Sequence, residues 1–599
     1  MTVKENLSKL RDLMKQEGID VYYIPTADYH QSEYLSDYFK TRKFMSGFTG
    51  SAGTLVVTMK EAGLWTDGRY FVQAAKQLKG STIDLYKMGQ EGVPTFIEFI
   101  EKKIPNQGVL GFDGRVVNAK TANNFQQCLE SKKVTLKTDK DLVEPIWTDR
   151  PALPSEACFL LAEKYAGVKA EDKIKRLQAA MKEKNADVCV LVSLEDVAWL
   201  LNLRGFDIED TPVALAFATV TKNKVNLFID KKKLTADICK KFSAAKISIR
   251  GYNDLGDELV TYKDKTILLS SSTISAYHKS LIDKSCTIID EDSPVVMYRA
   301  IKNKTEIKNT KFAHVKDGAA VTKFIYWLKN NIGKIEIDEL SATAKLHELR
   351  QAQDNFIEDS FGAIVAYGPN AAMMHYSATE KNFAVLKNEG FLLVDSGGQY
   401  YEGTTDITRT IALGKLTQDE KVYFTTVLRS MIRLSKANFL YGCTGASLDI
   451  LARGPVWDLD LDYQCGTGHG IGFVLGVHEG PHGFRWSNTG TGYGVVKLEE
   501  GMIVTDEPGI YLPNKLGIRI ENELLTQKGK KNTYGQFMHF DTITLAPIDL
   551  DAVLPELMND DEIEFLNAYH AEVYKQVSPY CTPKEKTWLK IQTRKIKKA

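Results

Sequence analysis

The chain has 599 residues, 77 Lys+Arg against 77 Asp+Glu, and 43% hydrophobic content. This ordinary globular mixture excludes a mainly disordered chain, and zero net charge argues against a protein built to hold nucleic acid. No run of 18 apolar residues occurs, so no membrane span is expected.

The opening segment, LSKLRDLMKQEGIDVYYIP, reads as an amphipathic helix followed by a strand. Leu7, Leu10 and Leu13/Met14 share a helical face, Gly18 stands where the helix should end, and Val21–Ile24 is a short apolar strand. The N-terminus lacks the apolar core of a signal peptide. The same order recurs near residue 171, where Ile174, Leu177 and Met181 form the stripe and Val188–Val192 the strand. The copies lie too far apart for a solenoid, so a duplicated α/β domain is expected, with DRPALPS (Asp149–Ser155) as the linker. Both copies are read as structural or gating elements, and Gly68-Arg69 in TDGRY as a turn.

A second boundary falls near Pro294, after which helical periodicity resumes. FLLVDSGGQY with EGTTDITRTIAL, and GMIVTDEPGIYLP with LGIRIENELLTQ, read as two pairs of neighbouring strands. Residues 548–599 contain helical segments and read as an appendage. The eight cysteines form no CxxC pair, which fits reduced thiols in a cytoplasmic protein.

Histidine is scarce, ten in all, yet His375, His469, His478 and His482 fall in one region. There, Asp395, Asp406, Glu507 and Glu521 stand at the ends of segments that otherwise read as buried strands. A buried carboxylate is costly unless paired or bound to metal. Four of them with a Gly-flanked His469 in GTGHGIG point to cations. Oxygen and imidazole donors suit Mn, Fe(II), Co or Zn. Two divalent ions balance four carboxylates, a standard device for activating water.

With VDSGGQYYEGTTDITRT, GTGHGIG, VHEGP, VTDEPGIY and GIRIENE in place, the chain resembles the creatinase/methionine-aminopeptidase "pita-bread" family. More narrowly, it is similar to the cytosolic, three-domain aminopeptidase P type. The resemblance implies an α/β (α+β) chain: creatinase-like domains over 1–150 and 151–300, then a pita-bread catalytic domain over 301–599 with its extension at about 548–599. It implies Asp395 on one metal, His469 and Glu507 on the other, and Asp406 and Glu521 shared. His375, His478 and Arg519 take the places of the family's remaining site residues. Arg519 should lie near Glu521, since residues two apart in a strand share a face.

The implied reaction is hydrolysis of an N-terminal Xaa-Pro bond by a bridging hydroxide. His478 steadies the oxyanion and Glu507 moves the proton. The implied ions are manganese, with zinc as alternative; the implied partners are peptides with proline second and a second copy of the chain, with no nucleic acid and no membrane. Cys465 stands where some relatives carry a histidine. His482 is expected to be non-catalytic. His30, His278, His314, His347, His539 and His570 are read as packing or surface residues, and Asp67 and Asp196 as turns or caps. The rivals are a prolidase, which normally has one N-terminal domain, and a non-catalytic binding module, which would have lost its metal ligands.

Overall fold

The computed structural model describes residues 2–486 and 494–598. The chain forms two compact units, Met1–Leu161 with Val168–Val295, and Ala162–Gly167 with Val296–Ala599.

The first helix, Val3–Glu17, is capped by Thr2, buries Leu7, Leu10 and Met14, and stops at Gly18, whose φ of 65° is a left-handed cap that costs glycine nothing. It leads into strand Val21–Pro25. That strand sits inside a six-stranded sheet in the order Asp84–Lys87, Ala62–Thr66, Thr54–Thr58, Val21–Pro25, Val109–Gly111, Thr135–Lys137. Helix Ala170–Glu183 and strand Val188–Leu191 open a second sheet: Ile247–Arg250, Val225–Ile229, Ala216–Thr221, Val188–Leu191, Thr266–Leu269, Thr287–Asp290. In both, the opening strand is antiparallel to the next in chain order within its sheet and parallel to the fifth. The expected duplication is therefore present down to strand direction.

Inside this unit His30 joins the two halves. One ring nitrogen reaches Val192 O at 2.8 Å and the other the Tyr252 hydroxyl at 2.7 Å, with Phe217 against the ring at 4.2 Å. Burial pushes His30 down to about 3 and His278 down to about 4. Both rings are neutral in the fold, whereas the unfolded chain protonates them below about 6.5. Their contribution is complete above pH 6.5 and is lost as pH falls toward 3. Calorimetry of the whole protein is expected to show a lower unfolding temperature at pH 4 than at pH 7, with a smaller drop in His30→Gln. An equal drop in both proteins contradicts this account.

The longest helix of the second unit is Lys304–Asn331, capped by Asn303 and Glu306. Strand Phe391–Ser396 lies between Ile364–Tyr367 and Ile407–Ala412, antiparallel to both. A six-stranded sheet runs Asn438–Leu440, Gly535–Thr542, Asn522–Asn532, Ile503–Asp506, Gly468–Gly470, Glu479–Phe484. Gly509–Leu512 and Leu516–Arg519 form a hairpin. Both expected strand pairs are thus neighbours. Helix Gln418–Ser435 buries Phe424, Val427, Leu428 and Met431 against Ile510, Ile518 and Ile520.

The C-terminal segment differs from its reading as an appendage. Ile548, Leu566, Tyr569, Val573 and Leu589 belong to that same core, and the Tyr569 hydroxyl accepts a 2.7 Å hydrogen bond from buried Arg409. Apolar spacing marked helices there, but nothing in the spacing shows which core they complete. Among the described residues, no helix is long and apolar enough to cross a membrane.

Candidate metal centre

The sheets carry the acids toward one another. Asp395 pairs in register with Thr408, just beyond Asp406. Glu521 N donates to Thr408 O at 3.2 Å, and Glu507 N to Thr467 O at 2.8 Å. His469 enters beside them, its N–H on Thr505 Oγ1 at 3.0 Å. A side chain at Gly468 would meet Thr505 O at 1.9 Å and one at Gly470 would meet Glu479 O at 2.2 Å. The glycines around His469 are therefore there for close strand approach.

One ligand atom each of Asp406, His469 and Glu521 lies within 4.8 Å of the others. His469 Nε2 stands 3.5 Å from Asp406 and 3.4 Å from Glu507. Arg519 ties in the fifth residue: it donates to Asp395 Oδ2 and lies 4.0 Å from Glu507 Oε2. It reaches Glu521 through Thr408, whose hydroxyl accepts from Arg519 Nε at 3.2 Å and donates to Glu521 Oε2 at 2.7 Å. The five expected ligands and Arg519 thus form one cluster. The His478 ring stands edge-to-face with His469 at 4.3 Å. His375 is half-buried on the loop after Gly368–Ala372, whose Ala371 packs against Gly517 of the hairpin that carries Arg519.

Electrostatically the cluster is unbalanced as protein alone. Burial, then Glu521 and Asp395, push Asp406 well above the carboxylate range. Burial, then Glu507 and Asp395, do the same to Glu521. Burial raises Glu507 to about 7 against the opposing pull of Arg519. Asp395 Oδ1 and Asp406 Oδ1 are buried without a hydrogen-bond partner among the described residues. Oxygens left this way cost about 1–3 kcal/mol each, more when charged. Four carboxylates, two of them with an orphaned oxygen, and one imidazole fit divalent cations.

Sequence reasoning missed the layer behind. Glu523 accepts from Asp406 N at 2.7 Å and faces His314 Nε2 at 3.1 Å, so His314 supports the site rather than merely packing. Asp506 accepts from the Ser435 hydroxyl at 2.8 Å. The one sequence signal for Glu523 is its place two residues after Glu521 in IENE, just inside strand Asn522–Asn532. His482 is buried on Ile503 O at 2.7 Å and burial pushes it down to about 4, which suits a structural ring. Asp67 caps the turn at Gly68–Tyr70. Asp196 instead lies in the first turn of helix Leu194–Leu201, where an acid meets the positive end of the helix dipole, and is buried there.

Models of the Creatinase/Prolidase N-terminal domain match residues 6–144 and 149–306. Metallopeptidase family M24 matches 308–528, and the C-terminal region of peptidase_M24 matches 536–596. The chain is 38% identical to a probable Xaa-Pro aminopeptidase P of Paracoccidioides brasiliensis (strain Pb03), over 99% of both chains. It belongs to the aminopeptidase P family of M24 metallopeptidases. Among solved structures, X-prolyl aminopeptidase from Caenorhabditis elegans, described as a cytosolic enzyme with a di-nuclear active site, superposes with a TM-score of 0.94 at 33% identity, covering 100% of both chains. Xaa-Pro dipeptidase from Bacillus anthracis superposes at 0.50 and 25% identity, covering 64% of this chain and 99% of its own. The aminopeptidase P match spans the whole chain; the dipeptidase match does not.

Proposed function

We propose that this aminopeptidase P family member removes the first residue from peptides with proline second. The convergence of Asp395, Asp406, His469, Glu507 and Glu521 around unsatisfied buried oxygens carries this reading. Asp395 would hold one cation, His469 and Glu507 the other, with Asp406 and Glu521 shared. Two divalent cations supply an acidified water and a Lewis acid when bound.

The chain's own residues do the rest. Glu507 accepts the water proton and delivers it to the proline nitrogen as the C–N bond breaks. The products are the free first residue and a peptide with a new N-terminal proline. His478 donates to the oxyanion as the carbonyl carbon becomes tetrahedral. Arg519 fixes Asp395, against which the substrate α-amine sits. His375 completes the wall beside the Arg519 hairpin. The division into 1–150, 151–300 and 301–599 belongs to the same proposal, supported by the duplicated sheets and the family matches.

The donor set suits both manganese and zinc, and manganese is proposed first because the family resemblance implies it. A homodimer is proposed from the family resemblance; Trp457 and Trp486, both exposed, meet edge-to-face at 5.9 Å and offer apolar surface for it. A cytoplasmic location is proposed from eight free cysteines and the cytosolic C. elegans structure. Given manganese, the protein is expected to release Arg from Arg-Pro-Pro rapidly and to leave Gly-Pro nearly intact, as chromatography of the products reads out. Cleavage of Gly-Pro alone would make it a dipeptidase and end this reading.

A further inference from the structure

Behind the His469 strand lies a buried polar hub to which the reaction above gives no role. Asp449 and Arg453 stand four residues apart on helix Gly445–Trp457, both side chains fully buried, with Arg453 Nε on Asp449 Oδ2 at 2.8 Å. A buried Arg–Asp pair brings no sure gain in stability, because desolvating two charges offsets their attraction. What it does well is fix geometry, since the guanidinium presents a rigid fork of donors.

Here the fork is spent on one short segment. Arg453 Nη1 donates to Asp462 Oδ1 at 2.9 Å and Tyr463 O at 2.8 Å, and Nη2 to Cys465 O at 3.1 Å and Thr467 Oγ1 at 3.3 Å. The guanidinium also lies 3.9 Å over the Tyr463 ring. Thr467 Oγ1 donates to Asp449 Oδ1 at 2.6 Å and contacts the Tyr463 hydroxyl at 2.7 Å. Every anchored residue lies in 462–467, the chain that runs directly into His469. The same Thr467 accepts the backbone N–H of Glu507 at 2.8 Å. His469, on strand Gly468–Gly470, and Glu507, just past the end of strand Ile503–Asp506, therefore take their positions from one segment, and Arg453 holds that segment at four points.

We propose that Arg453, with Asp449, is a positioning residue for the His469–Glu507 edge of the metal centre. Its role is to set where an imidazole and a carboxylate meet a divalent cation, and it touches neither substrate nor ion. The proposal rests on the metal-binding reading above. Groups that orient metal ligands without touching the metal change affinity by about 10–100-fold when removed.

The test titrates Mn2+ alone into the ion-stripped full-length protein by calorimetry, with unfolding temperature and a split of kcat from KM measured in parallel. Arg453→Lys keeps the charge and loses the fork; Thr467→Val removes the shared hydroxyl and leaves the Arg453–Asp449 pair intact. Lys233→Met breaks a comparably buried pair with Asp207 in the other unit and reports what loss of stability does by itself. The expected result is Mn2+ affinity weakened about 10–100-fold in Arg453→Lys and Thr467→Val, kcat lowered more than KM is raised, and unchanged affinity in Lys233→Met. If Arg453→Lys fails to fold, Thr467→Val decides. Unchanged affinity in Thr467→Val, or an equal loss in Lys233→Met, overturns the hub. Absence of Mn2+ binding by the unsubstituted chain overturns the metal reading itself, which is a different outcome.

Discussion

Asp406→Asn is expected to change stability in opposite directions with and without divalent ions. Stripped of ions, the unsubstituted chain keeps Asp406 among Glu521, Asp395 and Glu507, and burial with their repulsion raises its carboxyl well above the usual range. A carboxyl whose folded pKa is raised stabilises the fold at low pH and destabilises it as pH climbs from the unfolded value through the folded one. At pH 8 in a chelator, the neutral amide removes that repulsion, and Asp406→Asn is expected to unfold at a higher temperature than the unsubstituted chain. Added Mn2+ reverses the order. The unsubstituted chain gains RT ln(1 + [L]/Kd), about 2.7 kcal/mol at a hundredfold excess over Kd. The variant loses a shared ligand, so its affinity should fall by more than the roughly 100-fold at the upper end for residues that only support ligands. Differential scanning calorimetry with chelator and with Mn2+ reads both signs. A variant less stable in chelator yet equally stabilised by Mn2+ contradicts the placement of Asp406.

The second large effect is on turnover. Glu507 is positioned by its backbone bond to Thr467 O and lies 3.4 Å from His469 and 4.0 Å from Arg519. The Thr505 hydroxyl donates to its Oε1 at 3.3 Å. Proton transfer by such a group is worth about 10²–10⁴ in rate. Glu507→Gln keeps the shape and one oxygen but holds no transferable proton. With Mn2+ kept saturating, so that the role of Glu507 as a ligand does not dominate, the variant's kcat on an Xaa-Pro-Xaa peptide should fall by about that factor with KM little changed. Steady-state kinetics of the Mn2+-loaded protein decides it. Full turnover by the variant removes Glu507 from proton transfer.

How much of this was legible in the sequence depends on the kind of signal. Asp395, Asp406, Glu507 and Glu521 were visible because a carboxylate beside an apolar strand run has few bland explanations. The duplication was visible because helix period and strand period recur in the same order, as at Val3–Glu17 with Val21–Pro25 and Ala170–Glu183 with Val188–Leu191. Glu523 and His314 were not, since a second acid in IENE and a histidine in a long helix look like ordinary surface alternation until the strand register and the helix face are known. The Asp449–Arg453 pair was hidden for the same reason: an acid and a base four apart on a helix are usually solvent-exposed. The docking of Asp560–Val577 into the core beside Gln418–Ser435 is a tertiary choice that local spacing does not encode.

The most direct measurement is a crystal structure of the Mn2+-loaded protein with anomalous scattering recorded at the manganese edge. It is expected to show two peaks, one bounded by Asp395 and one by His469 and Glu507, with Asp406 and Glu521 between them. A single peak elsewhere in the second unit, or an empty cleft in a protein that still releases Arg from Arg-Pro-Pro, would contradict it.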